Sequence, residues 1–398
     1  MGPPRDADRG ASRRSEHTWL DARKPVTTVI MGLEMIRMPG WRLVMCGVVL
    51  QAAALAVVAT EPTAPARGQA LDGRHDFDFS VGVWHTHVRH ILDPLSGSSD
   101  SEELDGTVTT RRIWGGRAFL EEIEADSPQR HWEALSLFLY NPGSRQWSQS
   151  FINSRLGTLG PPLIGSFKNG RGELFTEDTF HDRSILVRGV WSNITPASHT
   201  YEESISNDGG KTWAPSFIAN KTREQKESTS DIAAGSKPMS AAPEEHEFDF
   251  DFGTWKTRSS RLLQPLTGSK DWVDFDGYTT VRKVWNGRAG LAEYKVAGRS
   301  GVVELLSLRW FNPSTHEWNI DFAASTHGTL ETPGVGGFKN GRADFYDYEP
   351  VNGRSVLRRF SIWGITPETV QSEEAFSDDG GQTWEVDWIN HYARVKSK

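Results

Sequence analysis

The 398-residue sequence has only one cysteine, Cys46, which lies within its one long apolar stretch. A mature chain without this residue has no disulfide, no thiol nucleophile and no thiolate metal site, so its stability must come from packing. Basic residues are also in deficit, because 44 Lys and Arg stand against 52 Asp and Glu. The net charge of −8 argues against nucleic acid or an anionic membrane as a partner.

Familiar sequence signals of catalysis are missing as well. The chain downstream of the apolar stretch shows no nucleophile elbow, phosphate loop, zinc helix motif or dinucleotide fingerprint. We therefore predict no cofactor and no metal site. These absences weaken an enzyme hypothesis without excluding it, because a lone carboxylate in a pocket can perform acid or base chemistry.

The apolar stretch, Met38 to Ala59, follows basic residues and leads into small ones. This order predicts a secretory signal that is cleaved after Ala70, with Ala66 as an alternative site. A single membrane anchor is the competing interpretation, since the run is nearly long enough to span a bilayer. Removing residues 1–70 takes away nine of the 44 basic and six of the 52 acidic residues, which leaves a net charge of 35 − 46 = −11. We expect a periplasmic or secreted bacterial protein with no membrane association after cleavage.

The rest of the chain is a duplication. The segment HDFDFSVGVW at 75–84 returns as HEFDFDFGTW at 246–255, a shift of 171 residues, and residues 75–223 align with 246–394 without an insertion. A repeat of this length should be a complete domain with its own core. Residues 224–245 are rich in Ser, Ala, Glu, Lys and Pro, which predicts a flexible linker between two independent domains.

Within each copy the pattern is one strand after another. Apolar runs of strand length, such as Trp132 to Tyr140, alternate with turn residues, and the Asn-Gly pairs at 169–170 and 340–341 are typical of type I′ hairpins. A meander of roughly eight to ten strands leaves two open edges, and closure into an up-and-down barrel removes them.

The Gly-x-Trp of each first strand and an Arg at each last strand support a more specific assignment. Trp84 and Arg223 in the first copy correspond to Trp255 and Arg394 in the second. With the FDF lead-in and the closing D-G-G-x-T-W hairpin, each copy resembles the calycin superfamily, and in particular the lipocalin-like, largely uncharacterised secreted domains of bacteria. The resemblance implies that the Arg packs over the Trp and closes the barrel floor. The fold prediction is all-β, with two tandem antiparallel up-and-down lipocalin-like barrels joined by a flexible linker.

Three features resemble functional sites, but each has a simpler explanation. Residues 206–213 and 377–384 match the S-x-D-x-G-x-x-W box of sialidase propellers, yet a propeller needs many such boxes and this chain has two. The cluster His85, His87 and His90 suggests a metal site, but alternation places His90 on the opposite strand face from the other two. His391 suggests a haem barrel, but its counterpart in the first copy is an asparagine.

The main candidate site residues are ionisable residues that recur in both copies on strands. If their strand face is interior, an unpaired buried charge is too costly, so they pair with one another or face a ligand. In the ligand hypothesis, Arg111 and Arg282 hold an acidic group by a bidentate fork. The alternative is that Arg and Glu pair across neighbouring strands, either on the outer face or as a structural network. The predicted ligand-binding residues are Arg111, Glu122, Glu133, Arg282, Glu293 and Glu304.

These observations lead to three hypotheses of function. The first is an exported protein that binds a small, partly apolar ligand, with or without an acidic group, inside one or both barrels. The second is a barrel enzyme, such as an isomerase, cyclase or hydrolase, that uses one of the four recurrent Glu residues as acid or base. The third is a structural or interaction module with filled barrels. Differences such as His90 against Arg261 predict that the two pockets are not identical.

Overall fold

The computed structural model describes residues 72–224 and 243–396. They form twenty strands and a few short 3-10 helices, which confirms the predicted all-β class. The predicted signal segment and residues 225–242 of the predicted linker lie outside the described residues. None of the helices in the described ranges has the length and apolar character needed to cross a bilayer.

The first barrel is a closed antiparallel sheet of ten strands. Each strand pairs with the next along the chain, and β1 pairs with β10 to close the sheet. The strands are β1 Gly82–Ile91, β2 Ser101–Ile113, β3 Ala118–Asp126, β4 His131–Asn141, β5 Gln146–Asn153, β6 Leu163–Lys168, β7 Arg171–Phe180, β8 Arg183–Ser192, β9 Ser198–Ser206 and β10 Ala214–Arg223. This order confirms an up-and-down barrel without open edges.

The second barrel repeats this plan, with β11 closing against β20. Its strands are β11 Gly253–Leu262, β12 Trp272–Val284, β13 Ala289–Gly298, β14 Gly301–Asn312, β15 Glu317–Ala324, β16 Gly334–Lys339, β17 Arg342–Val351, β18 Arg354–Trp363, β19 Thr369–Ser377 and β20 Glu385–Arg394. The shift of 171 residues therefore relates strand to strand, and each copy is a complete barrel.

The floor of each barrel is closed by the pair that the sequence predicted. The guanidinium carbon of Arg223 lies 4.0 Å from the ring centre of Trp84, and Arg394 lies 4.0 Å from the ring of Trp255. Arg223 also donates hydrogen bonds to the carbonyl oxygens of Phe79, Val81 and Pro196 at 2.7–2.8 Å. The arginine thus joins the start and the end of the barrel through cation–π and charge-assisted contacts.

The glycine at position 82 of the Gly-x-Trp motif is required for a steric reason. Its φ is +126°, which side chains rarely adopt, and a Cβ atom there would lie 2.6 Å from Nη1 of Arg223. Glycine at this position lets the arginine reach the tryptophan ring.

The two hairpin motifs behave as the sequence predicted. Asn169 and Gly170 have φ values of +54° and +74°, as a type I′ turn requires. In the Asp-box hairpin, Asp208 accepts hydrogen bonds from the backbone and hydroxyl of Thr212, and Arg188 lies 4.5 Å from the ring centre of Trp213. The box is therefore a turn-stabilising motif here.

The two barrels share a hydrophobic core, a contact that the sequence pattern left undecided. Outward-facing leucines of β3 and β4 pack with their counterparts on β13 and β14. The residues of this shared core include Leu120, Leu135, Leu137, Leu139, Leu291, Leu306, Leu308, Trp114, Trp285 and Trp310. The outer faces of β4 and β14 are apolar for this reason, since they contact the other barrel and not solvent.

Polar contacts across this interface use equivalent positions of the two copies. Arg117 donates to Glu304 at 2.5 Å, and Arg288 donates to Glu133 at 2.5 Å. Arg117 and Arg288 are equivalent residues of the two copies, and so are Glu133 and Glu304, because each pair of numbers differs by 171. Each ion pair therefore joins the arginine position of one copy to the glutamate position of the other. The interface thus has the reciprocity of a two-fold dimer, within a single chain.

Candidate functional site

The structure places the six sequence-predicted residues on the outer faces of the barrels. Arg111 and Glu122 lie 3.6 Å apart across β2 and β3, and Arg282 and Glu293 lie 3.2 Å apart across β12 and β13. The two arginine side chains are about half exposed. These are cross-strand pairs, which is the alternative that the sequence left open.

Glu133 and Glu304, the other two predicted glutamates, belong to the interface between the barrels. Each accepts a hydrogen bond from an arginine of the other barrel, and Glu304 also accepts one from Lys295 at 3.2 Å. Burial alone would raise the pKa of Glu304, but the hydrogen bonds from Arg117 and Lys295 hold it below its ordinary value.

The condition on which the ligand hypothesis for these six side chains depends, an interior strand face, is therefore not met. Their strand positions pair with outward-facing residues, although Glu304 also borders the rim of the second cavity. Alternation fixes the face of every residue on a strand once one neighbour is known to be inside. Ligand binding by these six residues stays a prediction, and the interior residues below were not selected from the sequence.

The histidines of β1 take the faces that alternation predicted. His85 and His87 are exposed, and His87 lies 2.8 Å from Asp105, whose hydrogen bond raises the pKa of the imidazole. His90 is fully buried inside the barrel, and burial lowers its pKa to about 4. Within residues 72–224 and 243–396, no group of three or more His, Cys, Asp or Glu side chains is placed to hold a metal ion. His391 is exposed on the outer side of β20.

The interior of the first barrel is almost filled. Its cavity measures about 60 Å³ and is lined largely by apolar side chains, among them Trp132, Phe138 and Phe217. Lys221 and Glu121 form a buried ion pair within it. A space of this size holds a water molecule or two, and it cannot accommodate an organic ligand without rearrangement.

The second barrel contains a cavity of about 580 Å³, which lies within the usual range of ligand pockets. Hairpin residues Pro265 and Asn352 border it, so it opens at the end opposite the floor. Aromatic side chains form much of its wall. They are Tyr294, Phe322, Phe360, Phe376, Trp388 and Tyr392.

The difference in volume follows from substitutions between the copies. Trp132, which is 4% exposed inside the first barrel, is replaced by Val303 in the second. Exchanging an indole for an isopropyl group removes bulk from the barrel interior. The prediction that the two pockets differ is confirmed by their linings.

Arg358 is the centre of the charged part of this cavity. Its Nε lies 3.0 Å from both carboxylate oxygens of Asp347, and its Nη2 lies 2.6 Å from Oδ2 of the same residue. Its Nη1 lies 3.0 Å from Glu331 and 2.9 Å from Glu349, and Glu374 is 3.6 Å away. The arginine side chain is only 4% exposed, so this network is held in a low-dielectric environment.

Several of the cavity carboxyl groups have strongly shifted acidities. Burial raises the pKa of Glu349 to about 7, although Arg358 opposes this shift. Burial and the neighbouring Glu374 raise the pKa of Asp387 to about 9. Burial also raises the pKa of Glu374 itself. One guanidinium therefore does not compensate all the carboxyl groups around it.

The sequence prediction did not include this network, because it was based on charged residues that recur in both copies. The counterparts of Asp347 and Arg358 in the first barrel are Thr176 and Val187, which form the same cross-strand pair. A different sequence signal would have indicated the site. It is a charged residue on an interior strand face of one copy whose counterpart in the other copy is small or apolar.

Comparison with protein-family models finds no match, and comparison with curated proteins finds none either. Solved structures with a similar arrangement include the S-type phycobiliprotein lyase CPES from Guillardia theta, at 12% identity over 38% of this chain and 92% of that chain, with a TM-score of 0.28. A DUF3598-family protein of unknown function from Nostoc punctiforme matches at 8% identity over 81% and 99%, with a TM-score of 0.22. A mutant transferrin-binding protein B from Haemophilus parasuis matches at 6% identity over 79% and 76%, with a TM-score of 0.19. Likenesses this remote add nothing to the site, so its interpretation rests on the interior residues described above.

Proposed function

We propose that the chain is a binding protein that holds a small, partly apolar ligand in the cavity of its second barrel. The observation that carries this proposal is the cavity itself, about 580 Å³ in volume, with an aromatic wall and one charged network. Ligand pockets combine an apolar lining with placed polar groups. This cavity combines an aromatic wall with the charged network around Arg358.

The first barrel has a different role in this proposal. Its interior is filled by Trp132 and other apolar side chains, and its outer face supplies half of the core shared by the barrels. It serves as a structural platform for the binding barrel. The filled-barrel hypothesis thus applies to one copy and the ligand-binding hypothesis to the other.

Native mass spectrometry of the full chain, purified gently from its own host, tests the proposal. We expect one small molecule to be released per chain. Val303→Trp restores the bulk that the first barrel has at this position, so we expect this variant to lose the molecule. Val335→Trp adds the same bulk at an exposed position of β16 and should retain it. A wild-type chain that releases nothing, or a V303W chain that keeps the molecule, would contradict the proposal.

An acid–base enzyme is the second candidate, and Glu349 favours it. A carboxyl group with a pKa near 7 beside a cavity is suited to both donating and accepting a proton at neutral pH. Comparing the compounds recovered from the wild-type chain and from Glu349→Gln separates the candidates. A binding protein yields the same compound from both, whereas an enzyme yields unconverted substrate, of different structure, from the variant.

We also propose that the protein is exported to the periplasm or beyond, on the basis of the basic and apolar segment before residue 70. N-terminal sequencing of the chain from its host should begin at Leu71, or at Arg67 for the alternative cleavage. A chain that retains Met38 to Ala59 would contradict export by a cleaved signal and favour the membrane anchor.

A further inference from the structure

Negative groups outnumber positive groups in the network of the second cavity. Five carboxyl groups lie at or beside the cavity, and two guanidinium groups face them. The carboxyl groups belong to Glu331, Asp347, Glu349, Glu374 and Asp387, and the guanidinium groups to Arg261 and Arg358. Glu304 and Arg309 also border the cavity, but they are paired with Arg117 and Asp251. The cavity thus lacks positive charge to balance its carboxylates.

Asp387 is the cavity carboxyl group with the least satisfied oxygen. The residue is only 2% exposed and lines the cavity, and its Oδ1 has no hydrogen-bond partner among residues 72–224 and 243–396. In the first barrel the matching position is Ser216, whose hydroxyl donates to the carbonyl oxygen of Glu203 at 3.1 Å. An unpaired buried carboxylate oxygen is costly, so a donor from outside the chain would be stabilising.

Ser307 gives an independent indication that a polar group is missing from the same cavity. It is 5% exposed and lines the cavity, and its hydroxyl has no hydrogen-bond partner within the described part of the chain. Its counterpart Ser136 accepts a hydrogen bond from Gln149 at 3.2 Å in the first barrel. The position of that glutamine is Ile320 in the second barrel, so the chain itself offers the Ser307 hydroxyl no such partner.

We propose that the ligand of the second barrel carries a protonated amine or amidinium group, which binds beside Asp387 and Glu374 while its apolar part contacts the aromatic wall. This inference deepens the proposed function and rests on it. An ammonium group supplies both the missing donor and the missing positive charge, because each N–H donates to a carboxylate in a charge-assisted hydrogen bond. The described residues hold no arrangement of side chains suited to a metal ion, which favours an organic cation.

The bound cation would replace the proton that Asp387 carries. Burial and Glu374 raise the pKa of Asp387 to about 9, so without a counter-charge this carboxyl group is protonated at neutral pH. A bound cation stabilises the ionised form and should therefore expel a proton. The charged groups that face Asp387 in this balance are Glu374, Arg261 and Arg358.

Three probes with one ring system test the inference on the full chain. They are 1-naphthylmethylamine, its neutral N-acetyl derivative and the anionic 1-naphthylacetic acid, and their binding at pH 7.5 is measured by isothermal titration calorimetry. We expect the amine to bind at least tenfold more tightly than the N-acetyl compound, with proton release visible in buffers of different ionisation enthalpy. The acid should be the weakest of the three.

Variants identify the group responsible. Asp387→Asn and Glu374→Gln should each remove most of the advantage of the amine and leave binding of the N-acetyl compound unchanged, which also shows that the variants are folded. Glu203→Gln, the equivalent of E374Q in the first barrel, should have no effect. V303W should abolish binding of all three probes.

The outcomes separate this inference from the function on which it rests. Equal affinity for the amine and the N-acetyl compound would overturn the inference and leave ligand binding intact. Preference for the acid would also overturn it, and would assign Arg358 to the ligand. If no probe binds to the wild-type chain, both the inference and the proposed binding function fail.

Discussion

The contribution of the buried pair Asp347 and Arg358 to stability can be tested by substituting the residues that the first barrel has at the same two positions. The same two cross-strand positions in the first barrel are Thr176 and Val187. The perturbation is therefore R358V, D347T and the double variant, which converts the charged pair of the second barrel into the uncharged pair of the first.

The structure sets the expected magnitudes. R358V leaves the Asp347 carboxylate, whose side chain is 3% exposed, without its guanidinium partner, and this should cost about 3–5 kcal/mol of unfolding free energy. D347T should cost less, about 1–2 kcal/mol, because Arg358 keeps its contacts with Glu331 and Glu349. The double variant removes the buried charge with its partner, so we expect a coupling energy of about 2 kcal/mol relative to the sum of the single losses.

Urea unfolding followed by tryptophan fluorescence at pH 7.5 and pH 5 measures these quantities. The loss in R358V should shrink at pH 5. Carboxyl groups left without the arginine have raised pKa values in the native state, so the native state binds more protons than the unfolded state and the variant gains stability as pH falls. V187A in the first barrel is the control, since it removes only apolar packing, and its loss should be the same at both pH values.

Two results would refute this reasoning. Additive losses in the double variant would mean that the two side chains do not stabilise each other. A loss in R358V that is independent of pH, like that of V187A, would mean that the arginine contributes packing and not charge compensation.

Three further predictions concern the interface, the cavity and the floor. R288A should cost about 3 kcal/mol in urea unfolding because it leaves the largely buried Glu133 side chain, 15% exposed, without its arginine. R117A should cost about 1 kcal/mol because Lys295 still contacts Glu304, the glutamate that Arg117 binds. The unfolding free energy of the protein without ligand should fall as pH rises from about 4 towards 9. The raised pKa of Asp387 makes the native state retain a proton that the unfolded state releases. D387S should flatten this slope in a pH series of urea titrations. R223A should lower the unfolding free energy by about 2–4 kcal/mol, since it removes one cation–π contact and three hydrogen bonds, while R223K should recover only part of the loss.

Each of these predictions has a contrary result. Equal losses in R288A and R117A would mean that Lys295 does not compensate the second glutamate. A D387S slope identical to the wild-type slope would place the titrating group elsewhere. Full recovery in R223K would show that charge alone, without the planar guanidinium, closes the floor.

The sequence was sufficient for the fold because the fold depends on local chemistry. The Asn-Gly pairs predicted hairpins that have the required positive φ values, and the floor made by Trp84 and Arg223 was implied by the family resemblance. Period-2 alternation predicted that His90 faces inward while His87 faces outward. Each of these features is decided within one strand or one turn, or by closure of the sheet.

Docking of the barrels was missed although the sequence carried a sign of it. In β4, Leu135, Leu137 and Leu139 alternate with Ala134 and other inward residues, so the strand is apolar on both faces. A strand with a solvated outer face would be polar at every second position. An apolar run can also belong to a fully buried strand, and the run itself does not say which surface covers the outer face.

The candidate site was missed for a reason that follows from the pseudo-symmetry of the interface. Each interface ion pair joins an arginine at one repeat position to a glutamate at the other, so Arg117 with Glu304 and Arg288 with Glu133 require both positions to be charged in both copies. Interior residues are under no such requirement, because each barrel encloses its own cavity. The charged residues of these ion pairs recur in both copies because they stabilise the contact between the barrels. Arg358, in contrast, corresponds to a valine in the other copy, and it lies in the cavity in which the two barrels differ in chemistry.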